Sequence, residues 1–229
     1  MVKQVILYTI RKLGYDLVKR KDASKKMKDS FRNLSWSQEG EDLILGRYFS
    51  KRNGAFIDVG AHHPYKYSNT FKFYRKGWRG VNIDPLPGTK SLFDQERPND
   101  VNIECAISTK EGRADYYMFE LPQLNTFSKK NAEFQKKKWT LQQVKSMDVF
   151  RLDQILEKIN FTTDIDLFSI DVEGLELEVL KSNDWSKYSP RVIVIENLDS
   201  DNKLIDTYLS ELNYRQFANT INSYFYEKM

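Results

Sequence analysis

A single cysteine, Cys105, cannot build a disulfide framework, and its isolation suits a reducing compartment. No apolar run approaches the roughly 20 residues that cross a bilayer. No cleavable leader is legible, because Lys3, Arg11 and Lys12 interrupt the N-terminal apolar positions. The default compartment is therefore the cytoplasm. Histidine is nearly absent: only His62 and His63 occur, side by side. Two adjacent histidines with a distant cysteine do not make a zinc site. Excess basic charge is confined to the start of the chain. Residues 1–30 hold nine Lys or Arg against three Asp, so the rest of a chain with net charge +4 sits near −2. That disfavours a nucleic-acid-binding body. Repeats and low-complexity tracts are missing too.

What is present suits one α/β domain, residues 35–229, behind a basic segment, residues 1–34. Val2, Val5, Ile6, Ile10, Leu13 and Leu17 recur at helical spacing, with basic residues on the opposite face. Such a helix packs on the body or on a second copy of the chain. A basic amphipathic helix also lies on an anionic membrane surface. Residues 21–32 read as a polar linker.

The stretch that organises the domain is Phe-Ile-Asp-Val-Gly-Ala-His-His-Pro, residues 56–64. It reads as a short buried strand, 55–59, stopped by Gly60, where the backbone turns and a ligand can lie against bare main chain. Asp58 falls near the carboxyl end of that strand, the end that faces the ligand crevice in open α/β sheets. A second strand, 81–83, ends in Asp84, which lies 24 residues past Gly60 and suits ribose hydroxyls. A dinucleotide turn needs three glycines to seat a pyrophosphate. Here Ala61, His62, His63 and Pro64 follow a single one. S-adenosylmethionine has a ribose and no phosphate, so it needs no such cradle.

Further along, a helix is expected over 70–76, ended by Gly77, and a third strand over 101–107. An added antiparallel strand over 114–119 is followed by a polar, basic excursion, 121–138, of the kind that serves as a binding loop. A strand over 139–149, a helix over 152–159 and a core strand over 166–171 come next. The strand 191–195 ends in Glu196 and Asn197. A helix over 202–212 and a hairpin of 214–218 with 223–226 close the domain.

Asp58 or its turn, Asp84, Asp171 and Glu196 would then open on one sheet edge. Carboxylates gathered there repel one another unless a cation sits among them. Asp171, Glu196 and Asn197 offer oxygen ligands to a magnesium-like ion. His63 or His62 would take a proton from an acceptor hydroxyl, a task suited to a near-neutral pKa. Tyr116, Tyr117 and Trp139 are candidates to stack on a sugar face.

The run 56–70 with Gly-Trp-Arg-Gly-Val-Asn-Ile-Asp-Pro, 77–85, resembles the FkbM family of S-adenosylmethionine-dependent methyltransferases. Ser-Gln-Glu-Gly-Glu-Asp-Leu-Ile-Leu at 37–45, Leu-Asn-Thr-Phe at 124–127 and Ser-Ile-Asp-Val-Glu-Gly-Leu-Glu at 169–176 extend the resemblance. It covers about 35–226. It implies a class I methyltransferase fold, a Rossmann-like seven-stranded α/β sheet, and O-methylation of sugar or polyketide hydroxyls. By position it implies Asp58, Gly60 and Ala61 along the methionine part, Asp84 on the ribose, Glu104 and Ala106 near adenine, and Glu41 in the cofactor-binding set. Asp171 joins the histidines as a catalytic candidate. The implied partner is a small-molecule or glycan acceptor and not a nucleic acid. Rival readings are a nicotinamide-dependent sugar oxidoreductase and a non-catalytic module in a glycan assembly complex.

Overall fold

The computed structural model describes residues 34–49, 53–197 and 203–229. The expected N-terminal helix and its linker lie outside the described residues. Seven strands form the main sheet, in the order β3-β2-β1-β7-β8-β10-β9. Here β1 is Ala55–Val59, β2 Arg79–Ile83 and β3 Val101–Ile103, followed later in the chain by β7 Leu167–Ile170 and β8 Val192–Glu196. All five run parallel. The hairpin of β9 Tyr214–Asn219 and β10 Ser223–Lys228 adds antiparallel to β8. This is the expected Rossmann-like α/β sheet. Among the described residues no helix is long and apolar enough to cross a membrane.

Strand parity explains why these apolar runs can be buried on both faces. Ile57, Val59, Phe168, Ile170, Ile193 and Ile195 join one core cluster, with Leu152, Leu156, Val179, Leu180 and Leu209. Those last five come from helices α5 Leu152–Lys158, α6 Glu176–Lys181 and α7 Lys203–Glu211. Phe56, Leu167, Val192 and Val194 point the other way, onto Leu45, Phe49, Phe73 and Trp78. The elements there are α1 Glu41–Tyr48 and α2 Phe71–Arg75. Side chains alternate faces along a strand, so β1, β7 and β8 each feed two cores.

Parity also carries Asp58 to the α2 face, beside Phe56. It is 5% exposed and accepts from Thr70 Oγ1 at 2.6 Å. Arg97, fully buried just after α3 Thr89–Glu96, donates to that same Thr70 oxygen (3.0 Å) and to Asp100 (2.8 Å). Its guanidinium also stacks on Phe56, Tyr74 and Phe93. This ionic cluster lies under the loop after β1, whose Pro64 carbonyl it also reaches.

Two elements differ from expectation. The third strand stops at Ile103, where the Asp84 N–H takes the Ile103 carbonyl and Glu104 turns away to accept from Gly88 N. Ala106–Ile107 is a separate strand, β4, in a second sheet of order β4-β6-β5. There β5 is Gly112–Phe119 and β6 Leu141–Phe150. The excursion at 121–138 is not a bare loop. It contains a 3-10 turn, Pro122–Leu124, and a helix, α4 Lys129–Gln135, capped by Ser128 Oγ accepting from Asn131 N at 3.2 Å.

The segment at 37–45 does its work in the frame. Glu41, 3% exposed, accepts from Ser223 Oγ (3.0 Å) and from Glu39 N (2.8 Å). Glu39 accepts from both nitrogens of Asn222, at 2.9 and 2.8 Å. The two acids thus pin the tip of the β9–β10 hairpin. Ser223→Ala leaves a buried carboxylate short of one donor, and is expected to cost about 2 kcal/mol in urea unfolding.

Candidate functional site

The chain lays β1, β2 and β3 outward in one direction, then returns beside β1 with β7 and β8. The strand order reverses between β1 and β7, and such a switch point opens a crevice at the carboxyl ends of the strands. A cavity of about 260 Å³ lies there. Gly60 after β1, Asp84 after β2, Asp171 after β7 and Glu196 at the end of β8 all line it. The turn at Gly60 needs glycine twice over: its φ is 82°, and a Cβ would overlap the Asp171 carbonyl oxygen.

At one end the walls are Ile83, Pro85, Leu86, Cys105, Ala106 and Ile107, an apolar slot beside Asp84. Asp84 is 7% exposed and accepts from His62 N (2.7 Å) and Leu86 N (2.8 Å). Burial pushes its carboxyl up to about 6 against these hydrogen bonds. Burial likewise raises the Cys105 thiol to about 12, so it is an inert wall group.

At the other end three carboxylates gather. Asp171, Glu173 and Glu196 offer oxygens that lie within 4.8 Å of one another. Burial, then the charge of Glu196, lifts Asp171 well above the usual carboxylate range. Burial lifts Glu196 to about 7, and burial with Asp171 and Glu176 lifts Glu173 to about 8. Glu196 Oε2 is shielded from solvent and has no hydrogen-bond partner. Gln38, Tyr67, Asn222 and residues 122–127 complete this end. Tyr116, also a wall residue, stacks on Phe127 at 4.5 Å.

Several residues expected at the site stand behind it. Asp58 faces the buried Arg97 cluster, because its strand parity is that of Phe56. Ala61 is not a lining residue; its N–H bonds to the Ile83 carbonyl. Glu104 braces Gly88, and Glu41 braces Ser223. His63 is tied into its own turn, where Nδ1 accepts from the N–H groups of Tyr65 and Lys66, both at 3.3 Å. His62 does line the cavity, and burial holds its pKa below the usual value, so it is neutral at pH 7. Asn197 is absent from the lining, and its backbone N–H goes to the Asn222 carbonyl. Glu173 takes the third place in the acid cluster. Tyr116 lines the cavity, whereas Trp139 and Tyr117 do not.

The residues that sequence reasoning missed are Glu173, Asn125, Thr126, Gln38, Tyr67 and Asn222. Glu173 sits inside the Asp-Val-Glu-Gly run, and a glycine directly after an acid was the available sign of an unusual backbone. Its φ of 54° and that of Gly174, 97°, make a left-handed pair.

The family description "Methyltransferase FkbM domain" matches residues 58–216, well over half of the chain. The chain belongs to the FkbM methyltransferase family. The matched span runs from the last two residues of β1 to the middle of β9 and holds all four carboxylates of the cavity. Gln38 and Asn222 lie outside it, so the FkbM match omits two wall residues. None of the curated proteins compared with the chain matches it.

Proposed function

We propose that this FkbM family member is an S-adenosylmethionine-dependent O-methyltransferase acting on a hydroxyl of a sugar, glycan or secondary-metabolite acceptor. One observation carries the reading. Asp84, Asp171, Glu173 and Glu196 line the cavity, while among the described residues no Lys or Arg does. Such walls repel a pyrophosphate and favour a ligand that bears hydroxyls, an amine and a positive charge. This speaks against the nicotinamide alternative. One buried and three half-buried acids held at a cost to stability also speak against a module that has lost its chemistry.

The donor set fits the group. Asp84 retains lone pairs for ribose hydroxyls, and the slot of Leu86, Ala106 and Ile107 suits a flat heterocycle. S-adenosylmethionine would supply an activated methyl group on a sulfonium. The protein's part is to hold the acceptor oxygen in line and exclude water. His62 in its neutral form, or Glu173 or Asp171 once ionised, would accept a hydroxyl proton. Asp171, Glu173 and Glu196, with the unpartnered Glu196 oxygen, would hold a divalent cation such as magnesium, which acidifies a bound hydroxyl.

Thermal shift with S-adenosylmethionine and with NAD separates the cofactor readings; stabilisation by the first alone is the expected result. Release of S-adenosylhomocysteine across a panel of hydroxyl acceptors then tests turnover. No release with any sugar, glycan or polyketide acceptor would count against O-methylation.

A further inference from the structure

The acid loop after β7 is held from two sides. From the start of α6, Glu176 Oε1 accepts from Val172 N (3.3 Å) and Gly174 N (2.9 Å). From the excursion, the Glu173 carbonyl accepts from Thr126 Oγ1 (2.9 Å) and from Asn131 Nδ2 (2.7 Å). The two donors belong to one circuit. Thr126 Oγ1 also accepts from Ser128 N at 2.9 Å, and Ser128 Oγ accepts from Asn131 N at 3.2 Å. Gly174 serves this contact as well as its own φ, because a Cβ there would collide with Asn131 Nδ2. Thr126 is 1% exposed, so its hydroxyl has no water to turn to.

We propose that Thr126 and Asn131 are positioning residues: by clamping the Glu173 carbonyl they hold Glu173 in its left-handed conformation, with its carboxylate turned into the cavity beside Asp171 and Glu196. A left-handed non-glycine residue persists only where its surroundings over-determine it. The Glu173 peptide plane is fixed by the two donors, and the direction of its side chain follows from that plane. The excursion is therefore more than a wall of the acceptor end. It sets the geometry of an acid carried on the loop after β7. This inference rests on the methyl-transfer reading for its kinetic arm alone.

The test uses Thr126→Val, which is nearly isosteric and lacks the donor, Thr126→Ser, which restores it, and Asn131→Ala. Three quantities are measured on the full chain: kcat for methyl transfer, S-adenosylhomocysteine affinity, and amide hydrogen exchange over 171–175. Thr126→Val and Asn131→Ala are expected to lower kcat about tenfold or more, to leave affinity within about twofold, and to speed exchange at Gly174 while β1 and β7 stay protected. Thr126→Ser should recover both. Unchanged exchange in Asn131→Ala, affinity falling in step with kcat, or a Thr126→Ser no better than Thr126→Val would each overturn the clamp. Asn131→Ala carries the test should Thr126→Val not fold. An inactive wild-type enzyme would sink the methyl-transfer reading, and the exchange arm would still decide the clamp.

Discussion

Asp84→Ala is expected to weaken S-adenosylhomocysteine binding by about 100-fold in calorimetry. The figure follows from two ribose hydroxyls donating to one carboxylate, at about 1.5 kcal/mol each. Asp84 already accepts from His62 N and Leu86 N, which aim the remaining lone pairs toward the apolar slot. The same group weakens the unliganded fold. Its folded pKa, about 6, lies above the ordinary 3.8. A raised carboxyl contributes most while protonated, and that contribution is lost as pH climbs from about 4 to about 6. Asp84→Asn keeps one acceptor oxygen and loses the charge. Removing the charge stabilises the unliganded fold at pH 7.5, and turning an amide toward one of the two backbone N–H donors offsets that gain, so unliganded Tm should stay near wild type while the nucleoside binds poorly. Undiminished affinity in both variants would remove Asp84 from the nucleoside site.

Asp171→Asn is expected to reduce turnover by about 10³-fold and at the same time to raise the unliganded Tm by about 4 °C at pH 8. The two effects share one cause. Asp171 is crowded by Glu196, Glu176 and Asp58, and its carboxyl is held well above the normal range by burial and by these charges. Glu196 and Glu173 titrate near 7 and 8 for kindred reasons. All three shifts are upward, so the acid cluster loses stability as pH rises from about 4 to about 8. Wild-type Tm should therefore fall between pH 6 and pH 8.5, and the variant should flatten that slope. A cation offsets the same repulsion. Millimolar magnesium at pH 8 is expected to raise wild-type Tm, with EDTA reversing it, and to do little for Asp171→Asn. A wild-type Tm indifferent to magnesium would eliminate the cation from the scheme.

The frame was open to sequence reading because each strand announces itself. The runs at 55–59, 167–170 and 192–196 are apolar, short and bounded by glycine or acids, and the acids after β2, β7 and β8 converge as their spacing implies. Side-chain direction was not open to it. A strand buried on both faces has no polar side to orient by, so nothing in the run 55–59 says that Asp58 looks toward Arg97 and away from the cavity. The break between β3 and β4 depends on Glu104 reaching Gly88, a contact 16 residues back in the chain. Glu39 and Glu41 stand at the start of α1, yet their partners, Asn222 and Ser223, lie more than 180 residues away. Glu173 was hidden for a similar reason: its conformation is imposed by Thr126 and Asn131, which no local rule connects to it.

Among the described residues the cavity lining holds no Lys or Arg, and that bears on how a catalytic cycle would end. A sulfonium that gives up its methyl becomes an uncharged thioether, while the acids around it are unchanged by the transfer. If S-adenosylmethionine is the donor, the spent nucleoside would lose the pull of the negative charge that Asp171, Glu173 and Glu196 carry. On the proposed reading the same walls would favour the charged donor over its spent product, so S-adenosylhomocysteine is expected to bind more weakly than S-adenosylmethionine.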